Sequence, residues 1–275
     1  MDSTHPIRFT LNNGVQMPAI GLGVLFAKNE GEVEGAVSAA LRAGYRKIDT
    51  ASAYQNEEGV GKAIQESEVP RADLFLGTKV WNSEQGYDNT LRAFDRSLER
   101  LQTDYVDLYL IHWPVPTKYR DTYRAMEEIY ARGQAKAIGV CNFSVAQLAD
   151  LMEHANIVPA VNQVEMHPHL SQNELLQFAK THQIQLEAWR PIMMGDVLQI
   201  PELVAIGEAH QKSAVQVALR WLVQRGVAVI PKSVTPQRIR QNFELFDFQL
   251  TDAEMTIIEK LNLNRPLGED LSHVE

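Results

Sequence analysis

Residues 137–167, with the sequence AIGVCNFSVAQLADLMEHANIVPAVNQVEMH, contain the structural unit that recurs along this chain. An apolar, β-branched run at 137–142 is followed by an amphipathic helix pattern at 145–154 and by a second apolar run at 160–167. Ser144 stands where helix N-caps favour serine. The segment therefore predicts a strand, a helix and a second strand parallel to the first.

The same alternation extends from near the start of the chain to residue 245. A closed parallel barrel is favoured because it leaves no strand edge unpaired, and an open doubly wound sheet is the alternative. The predicted strands are 19–23, 47–50, 74–80, 105–113, 137–142, 160–167, 185–189 and 227–231; the predicted helices include 32–43, 87–101, 122–132, 145–154, 172–182 and 215–224, with Ser144 and Ser171 as N-caps and Gly44, Gly133 and Gly226 just past helix ends.

A hairpin is predicted ahead of the first barrel strand. Residues 7–11 and 15–17 are short apolar runs that flank Asn12, Asn13 and Gly14, and an Asn-Gly step in that setting is a strong turn signal. No Pro/Ser/Gly-rich linker or low-complexity tract divides the chain. We therefore expect one α/β domain over residues 1–275, a (β/α)8 TIM barrel whose bottom is closed by an N-terminal β-hairpin.

Composition excludes several classes of protein. The 26 basic and 35 acidic residues give a net charge of −9, which repels nucleic acid. Cys141 is the only cysteine, so an intramolecular disulfide is impossible and a reducing compartment is favoured. The first twenty residues lack a signal-peptide pattern, and no uninterrupted apolar stretch reaches about 18 residues. A cytoplasmic protein without a nucleic-acid or membrane partner is expected.

Polar residues fall where predicted strands end. Asp49, Lys79, His112, Asn142 and Gln163 lie at or near the carboxyl ends of five strands, and all carboxyl ends of a parallel barrel meet at one mouth. One interpretation is structural: an ion pair between Asp49 and Lys79 with a hydrogen-bonded core histidine, because an unpaired buried lysine is costly. The other interpretation is catalytic.

The catalytic interpretation adds Tyr54, five residues after Asp49. A phenol has a pKa of about 10 in water, and a neighbouring ammonium such as Lys79 is expected to lower it. Such a phenol can protonate an alkoxide that forms when hydride from a nicotinamide reaches a carbonyl carbon. The chain would then need a nicotinamide cofactor.

Two other kinds of site are disfavoured. The glycines of residues 21–23 and 59–61 are not followed by the third glycine of a Rossmann motif. His167 and His169 are possible metal ligands, but apart from the residues already named, no carboxylate or third histidine stands at a matching strand end. Loop histidines are the favoured interpretation, and no metal is expected.

Six segments follow one another in order over nearly the whole chain: GYRKIDTASAYQNE at 44–57, TKVW at 78–81, DYVDLYLIHWP at 104–114, IGVCNF at 138–143, NQVE at 162–165 and IPKS at 230–233. Together they resemble motifs of the aldo-keto reductases. They look most like the bacterial branch that contains diketogluconate reductases and glyoxal or methylglyoxal reductases.

The resemblance implies an NADPH-dependent reductase of aldehydes and ketones: small dicarbonyls such as methylglyoxal, or sugar-derived and aromatic carbonyls. It implies Tyr54 as proton donor, Lys79 as the group that lowers its pKa, Asp49 as the partner of Lys79, and His112 as the residue that orients the carbonyl. Leu25, Trp81 and Trp113 would join His112 around the substrate. The implied cofactor-binding residues are Cys141, Asn142, Gln163, Trp189, Arg190, Ile192, Lys232, Ser233, Val234, Arg238, Gln241 and Asn242.

Several positions depart from the family pattern. Cys141 and Arg190 stand where serine is common, and Leu25 and Phe26 replace an aromatic residue and a lysine. We hypothesise that Arg190 replaces the lost cation near Phe26 and that Leu25 widens the pocket; the alternative is that these departures mark reduced activity. A non-catalytic or regulatory NADPH-binding protein is the alternative function, and a monomer is the expected state.

Overall fold

Eight parallel strands are hydrogen-bonded side by side in the order in which they occur in the chain. The computed structural model of the protein describes residues 7–274. The strands are β1 (Arg8–Thr10), β2 (Gln16–Pro18), β3 (Leu22–Gly23), β4 (Lys47–Asp49), β5 (Phe75–Val80), β6 (Leu108–Ile111), β7 (Ile138–Cys141), β8 (Val161–Glu165), β9 (Gln185–Trp189) and β10 (Ala228–Val229); the α-helices are α1 (Glu32–Ala43), α2 (Glu57–Gln65), α3 (Tyr87–Leu101), α4 (Tyr119–Ala131), α5 (Val145–His154), α6 (Asn173–Thr181), α7 (Pro201–His210), α8 (Ala214–Gln224), α9 (Pro236–Phe243) and α10 (Asp252–Glu259).

The sheet β3–β10 closes on itself. Ile20 and Gly23 form parallel bridges with Val229 and Lys232, which join the first barrel strand to the last. The backbone N–H of Gly21 donates to the carbonyl oxygen of Val229 at 2.9 Å across the same seam. The predicted barrel is therefore confirmed, and the open sheet is excluded.

The antiparallel hairpin β1–β2 lies under the barrel. The Asn12 side chain donates to the carbonyl oxygen of Pro159 at 3.2 Å, and the Asn13 side chain donates to that of Lys136 at 2.9 Å. Each acceptor stands two residues before a barrel strand, so the hairpin covers the amino ends of β7 and β8. Met17 is fully buried in the barrel interior, and the hairpin closes the bottom as predicted.

Strand alternation sends every second side chain into the barrel. Phe75, Leu108 and Val161 form part of an inner apolar cluster, whereas Ile48 packs in the outer layer between the strands and the helices. Because Lys47 and Asp49 flank Ile48 on β4, both turn inward. Inward positions near the carboxyl ends of the strands therefore carry the polar groups of the mouth.

Of the two serine N-caps that the sequence predicts, one is confirmed and one is wrong. Ser144 caps α5 by accepting from the Gln147 N–H. Ser171 does not cap α6, which begins at Asn173 after Gln172. The N–H of Ser171 donates to Asn262 Oδ1 and its carbonyl accepts from Arg225, and these two contacts hold it in the preceding loop.

The single domain stays a prediction for residues 1–275, because residues 1–6 and 275 lie outside the described part of the chain.

Two helical glycines give a test of the packing. A Cβ at Gly61 in α2 would lie 2.6 Å from the carbonyl oxygen of Leu101, whereas nothing lies within 4 Å of a Cβ at Gly35 in α1. We expect Gly61→Ala to lower the free energy of unfolding by about 1–3 kcal/mol through overpacking. Gly35→Ala should raise it by about 0.5–1 kcal/mol because alanine loses less backbone entropy. Urea unfolding of both variants measures these changes, and equal effects would refute the close approach of α2 to α3.

Candidate active site

A fully buried ion pair lies at the mouth of the barrel. Lys79 Nζ lies 2.5 Å from Asp49 Oδ2 and donates to the carbonyl oxygen of Thr50 at 2.9 Å. The 3-10 turn Ser52–Tyr54 follows β4 and brings the Tyr54 hydroxyl within 3.4 Å of the same ammonium. Although burial opposes the positive charge, the Asp49 carboxylate keeps the pKa of Lys79 above its usual value. The ammonium therefore stays charged against the phenol.

Tyr54 keeps its proton at neutral pH. Burial raises the pKa of its hydroxyl to about 12, although the charge of Lys79 acts to lower it. The expectation of a net lowering is wrong for this structure, because the sequence indicates the neighbouring cation but not the extent of desolvation. The neutral phenol can therefore donate a proton, and the charge of the Lys79 ammonium acts to increase its acidity.

His112 follows β6 and faces both Tyr54 and Trp81. Its ring centroid lies 5.6 Å from that of Tyr54 and 5.0 Å from that of Trp81, with nearly perpendicular planes. Burial and the charge of Lys79 hold the pKa of His112 well below its usual range. The imidazole is therefore neutral and carries one N–H, which can donate to an oxygen atom in the cavity.

A cavity of about 1160 Å³ opens above these groups. Lys79 and Cys141 are buried behind its wall. The other predicted site residues line it: Asp49, Tyr54 and His112; Leu25, Trp81 and Trp113; and Asn142, Gln163, Trp189, Arg190, Ile192, Lys232, Ser233, Val234, Arg238, Gln241 and Asn242.

Asn142 connects two walls of the cavity. It follows β7 with a left-handed φ of 64°. Its Nδ2 donates to the carbonyl oxygen of His112 at 3.0 Å, and its Oδ1 accepts from the Trp189 indole N–H at 2.9 Å. The orientation of the indole is therefore tied to the strand end that presents the imidazole.

A second ion pair, which the sequence analysis missed, lies below the first. Lys47 and Glu187 are fully buried and bonded to each other. The Gln163 amide donates at 2.9 Å both to Glu187 and to Asp49. The signal was available, since Lys47 stands two residues before Asp49 on the same face of β4.

The far end of the cavity is rich in cations. No carboxylate within residues 7–274 forms an ion pair with Lys232 or Arg238. Arg190 lies against the Trp189 ring at 5.4 Å, and its buried Nη1 lacks a hydrogen-bond partner in the described part of the chain. Helix α9 begins nearby at Pro236, and its first turn has no side-chain cap. These groups can hold a polyanion.

The C-terminal tail crosses the rim of the cavity, which the sequence analysis also missed. Glu165 accepts from the N–H groups of Leu267 and Gly268 at 2.9 and 3.0 Å. At the other side, Asn82 donates to the carbonyl oxygens of Leu271 and Val274 at 2.7 and 2.8 Å. Residues 267–274 are thereby fastened on both sides of the opening.

The two histidines considered as metal ligands serve other contacts. His167 Nε2 lies 3.2 Å from Glu165 Oε1, next to the tail, and the carbonyl of His169 accepts from the N–H groups of Leu263 and Arg265. Within residues 7–274, no group of three or more His, Cys, Asp or Glu side chains is arranged to hold a metal ion. None of the helices described there is long and apolar enough to cross a membrane.

A sequence model of the Aldo/keto reductase family matches residues 19–263. The chain belongs to this family. The glyoxal reductase of Bacillus subtilis is 53% identical over 258 residues, which cover 94% of each chain. The methylglyoxal reductase DkgA of Salmonella typhimurium is 43% identical, with 97% of each chain covered.

Solved aldo-keto reductases share the architecture. A Bombyx mori aldo-keto reductase in complex with NADP is 36% identical and superposes with a TM-score of 0.91, covering 98% of this chain and 96% of its own. An aldo/keto reductase from Brucella melitensis is 49% identical and superposes with a TM-score of 0.91. The match covers 94% of this chain and 100% of the other. The fold that the sequence predicts is thus the fold of this family.

The neutral state of His112 predicts a dependence of stability on pH. In the unfolded chain a histidine takes up a proton near pH 6.5, whereas the lowered pKa keeps the native ring neutral. Stability therefore falls as the pH drops below 6.5, by up to about 1.4 kcal/mol per unit from this group. The His112→Asn variant should not show the part of the stability loss at low pH that comes from this imidazole.

Urea unfolding of the protein and of His112→Asn at pH 8.5, 7.5, 6.5 and 5.5 measures this difference. The difference between the two free energies of unfolding should stay constant from pH 8.5 to 7.5. By pH 5.5 the unchanged protein should have lost more stability than the variant. A constant gap over the whole range would show that the native imidazole takes up a proton as readily as the unfolded one.

Proposed function

We propose that this protein reduces aldehydes and ketones to alcohols with NADPH, and that Tyr54 is the proton donor. Membership of the Aldo/keto reductase family makes it an NADP-dependent oxidoreductase. The observation that carries the proposal is the chain of contacts from Asp49 through Lys79 to the Tyr54 hydroxyl, which opens into the cavity beside His112. A protein that only binds a nucleotide has no chemical need for that donor.

The cavity fits the proposed cofactor at both ends. Lys232 and Arg238, which have no ion pairs among the described residues, would hold the 2′-phosphate together with Ser233, and Arg190 would bind the pyrophosphate. At the other end, the Trp189 indole would lie against the nicotinamide ring. NADPH held in this way would supply a hydride to the carbonyl carbon. The remaining proposed cofactor contacts come from Asn142, Gln163, Ile192, Val234, Gln241 and Asn242, which line the cavity, whereas Cys141 is buried and does not line it.

The side chains at the mouth handle the oxygen and its proton. The neutral His112 donates a hydrogen bond to the carbonyl oxygen and so orients it. Tyr54 then gives its proton to the developing alkoxide. The Lys79 ammonium stabilises the phenolate that is left, and Asp49 keeps this ammonium in place.

The walls indicate the size and character of the substrate. Trp81, Trp113 and Leu25 line the same cavity as Tyr54 with apolar surface, which suits small dicarbonyls such as methylglyoxal, sugar-derived aldehydes and aromatic carbonyls. Relatives named glyoxal reductase and methylglyoxal reductase favour the dicarbonyls. We further propose that the enzyme works as a monomer in the cytoplasm, a compartment consistent with the single cysteine.

Tyr54→Phe tests the proton donor. The change removes only the hydroxyl, so we expect kcat for methylglyoxal to fall by about 10²–10⁴-fold while NADPH still binds. The measurements are NADPH oxidation at 340 nm and quenching of tryptophan fluorescence by NADPH. Tyr130→Phe, on α4 and against the outer core, is the matched control and should keep its rate.

Turnover by Tyr54→Phe near the rate of the unchanged protein would contradict the assignment of the donor. Absence of turnover in the unchanged protein with any aldehyde, despite tight NADPH binding, would favour a binding function instead.

Arg238→Met tests the phosphate end of the cavity. Loss of a charge-assisted hydrogen bond should raise KM for NADPH roughly tenfold or more and leave KM for NADH nearly unchanged. Arg240→Met, two residues along α9 and outside the cavity lining, is the control for a general change in charge. An equal rise for both coenzymes in Arg238→Met would contradict recognition of the 2′-phosphate.

A further inference from the structure

The buried pair of Lys47 and Glu187 is not explained by stability alone. Lys47 Nζ bonds Glu187 and otherwise lies 3.0 Å from the Met17 sulfur and 5.2 Å from the centre of the Phe75 ring. Both charged side chains are fully buried beside an apolar cluster. A buried ion pair typically stabilises a protein no more than an apolar pair of similar volume does. The pair therefore calls for a role other than holding the barrel together.

Glu187 is connected to the active site through Gln163. One Glu187 oxygen bonds Lys47, and the other accepts from Gln163 Nε2 at 2.9 Å. The same amide nitrogen donates to Asp49 Oδ1 at 2.9 Å. An amide NH₂ group has two hydrogens, and both are used by carboxylates that can only accept. The reversed amide would place its oxygen against two carboxylate oxygens.

The carboxylates therefore determine which way the Gln163 amide faces. Gln163 lines the cavity, and no donor among residues 7–274 bonds its Oε1. This carbonyl oxygen is an acceptor left for a ligand.

Lys47 holds the Glu187 carboxylate in place for this contact. Its Nζ bonds one carboxylate oxygen, so the other oxygen stays directed at Gln163 Nε2.

We propose that Lys47 and Glu187 are a positioning pair of the active site, which holds the Gln163 amide with its carbonyl oxygen toward the carboxamide N–H of a bound nicotinamide. This inference rests on the proposed function and deepens it. Neither residue touches the cofactor; both act through Gln163.

Two double variants, neutral at both positions, separate positioning from structure. Lys47→Met with Glu187→Leu removes the acceptor for Gln163, whereas Lys47→Met with Glu187→Gln retains one in the amide oxygen of the new side chain. The ligands are NADPH and adenosine 2′,5′-bisphosphate, which has the phosphate end of the cofactor but no nicotinamide. Titration of each protein gives the dissociation constants, and thermal unfolding verifies that each variant is folded.

We expect the leucine variant to bind NADPH roughly fivefold more weakly, the loss of about one net hydrogen bond, with adenosine 2′,5′-bisphosphate bound as before. The glutamine variant should recover NADPH binding to within about twofold, because an amide oxygen also accepts. Should the leucine variant not unfold cooperatively, Lys47→Met with Glu187→Met replaces it.

Equal NADPH constants in the leucine and glutamine variants would overturn the inference. A parallel loss of both ligands would also overturn it, because the pair would then be structural. Failure of the proposed function is distinguishable, since the unchanged protein itself would then fail to bind NADPH or to reduce methylglyoxal.

Discussion

The Asp49–Lys79 ion pair is the interaction on which the rest of the site depends. An ammonium inside a barrel is tolerable only if several acceptors surround it, since an unpaired buried charge is very costly. Lys79 finds them in Asp49 and in the carbonyl of Thr50, and both follow from the way β4 ends beside β5. The Tyr54 hydroxyl is then held 3.4 Å from the Lys79 ammonium, whose position is fixed by Asp49 and Thr50. Proton donation by Tyr54 would use this contact.

Closure of the barrel brings these groups together and keeps water from the ion pair. β4 and β5 lie side by side and bring Asp49 and Lys79 together. Gln163 comes from β8, four strands away in the sheet order, and only a closed sheet brings its amide within hydrogen-bond distance of Asp49. Inside, the low dielectric strengthens every one of these contacts. The same burial raises the pKa of Tyr54 and lowers that of His112, so both side chains are uncharged at neutral pH. Both side chains line a single cavity, and each carries one hydrogen that it can donate, from a hydroxyl in Tyr54 and from an imidazole N–H in His112.

The cavity has two ends with different chemistry. The mouth of the barrel is walled by Trp81, Trp113 and other apolar side chains, whereas Lys232 and Arg238 make the other end cationic. A ligand with a flat ring at one end and phosphates at the other matches this division, and Asn142 links the ring side to the strand end that carries His112. The tail, fastened by Glu165 and Asn82, narrows the opening.

Periodicity and turn chemistry determined much of this from the sequence. The bounds of α1, α3 and α5 agree with the prediction, and the Asn-Gly hairpin was predicted with its place under the barrel. Polar residues at the carboxyl ends of parallel strands share one mouth, and this rule predicts that Asp49, Lys79 and His112 belong to the site. These predictions rest on local patterns, in which spacing along the chain fixes the face of a strand or helix.

Tertiary structure alone decided what depends on groups distant in the chain. Ser171 is of a residue type that commonly caps helices, yet contacts from Asn262 and Arg225 hold it in a loop. The direction of the pKa shift of Tyr54 depends on the burial of its hydroxyl. The partner of Lys47 and the anchor of the tail, Glu165, are each more than a hundred residues away in the chain from the groups that they bond. Desolvation and hydrogen-bond partners are properties of the folded surroundings, so no spacing of residue types encodes them locally.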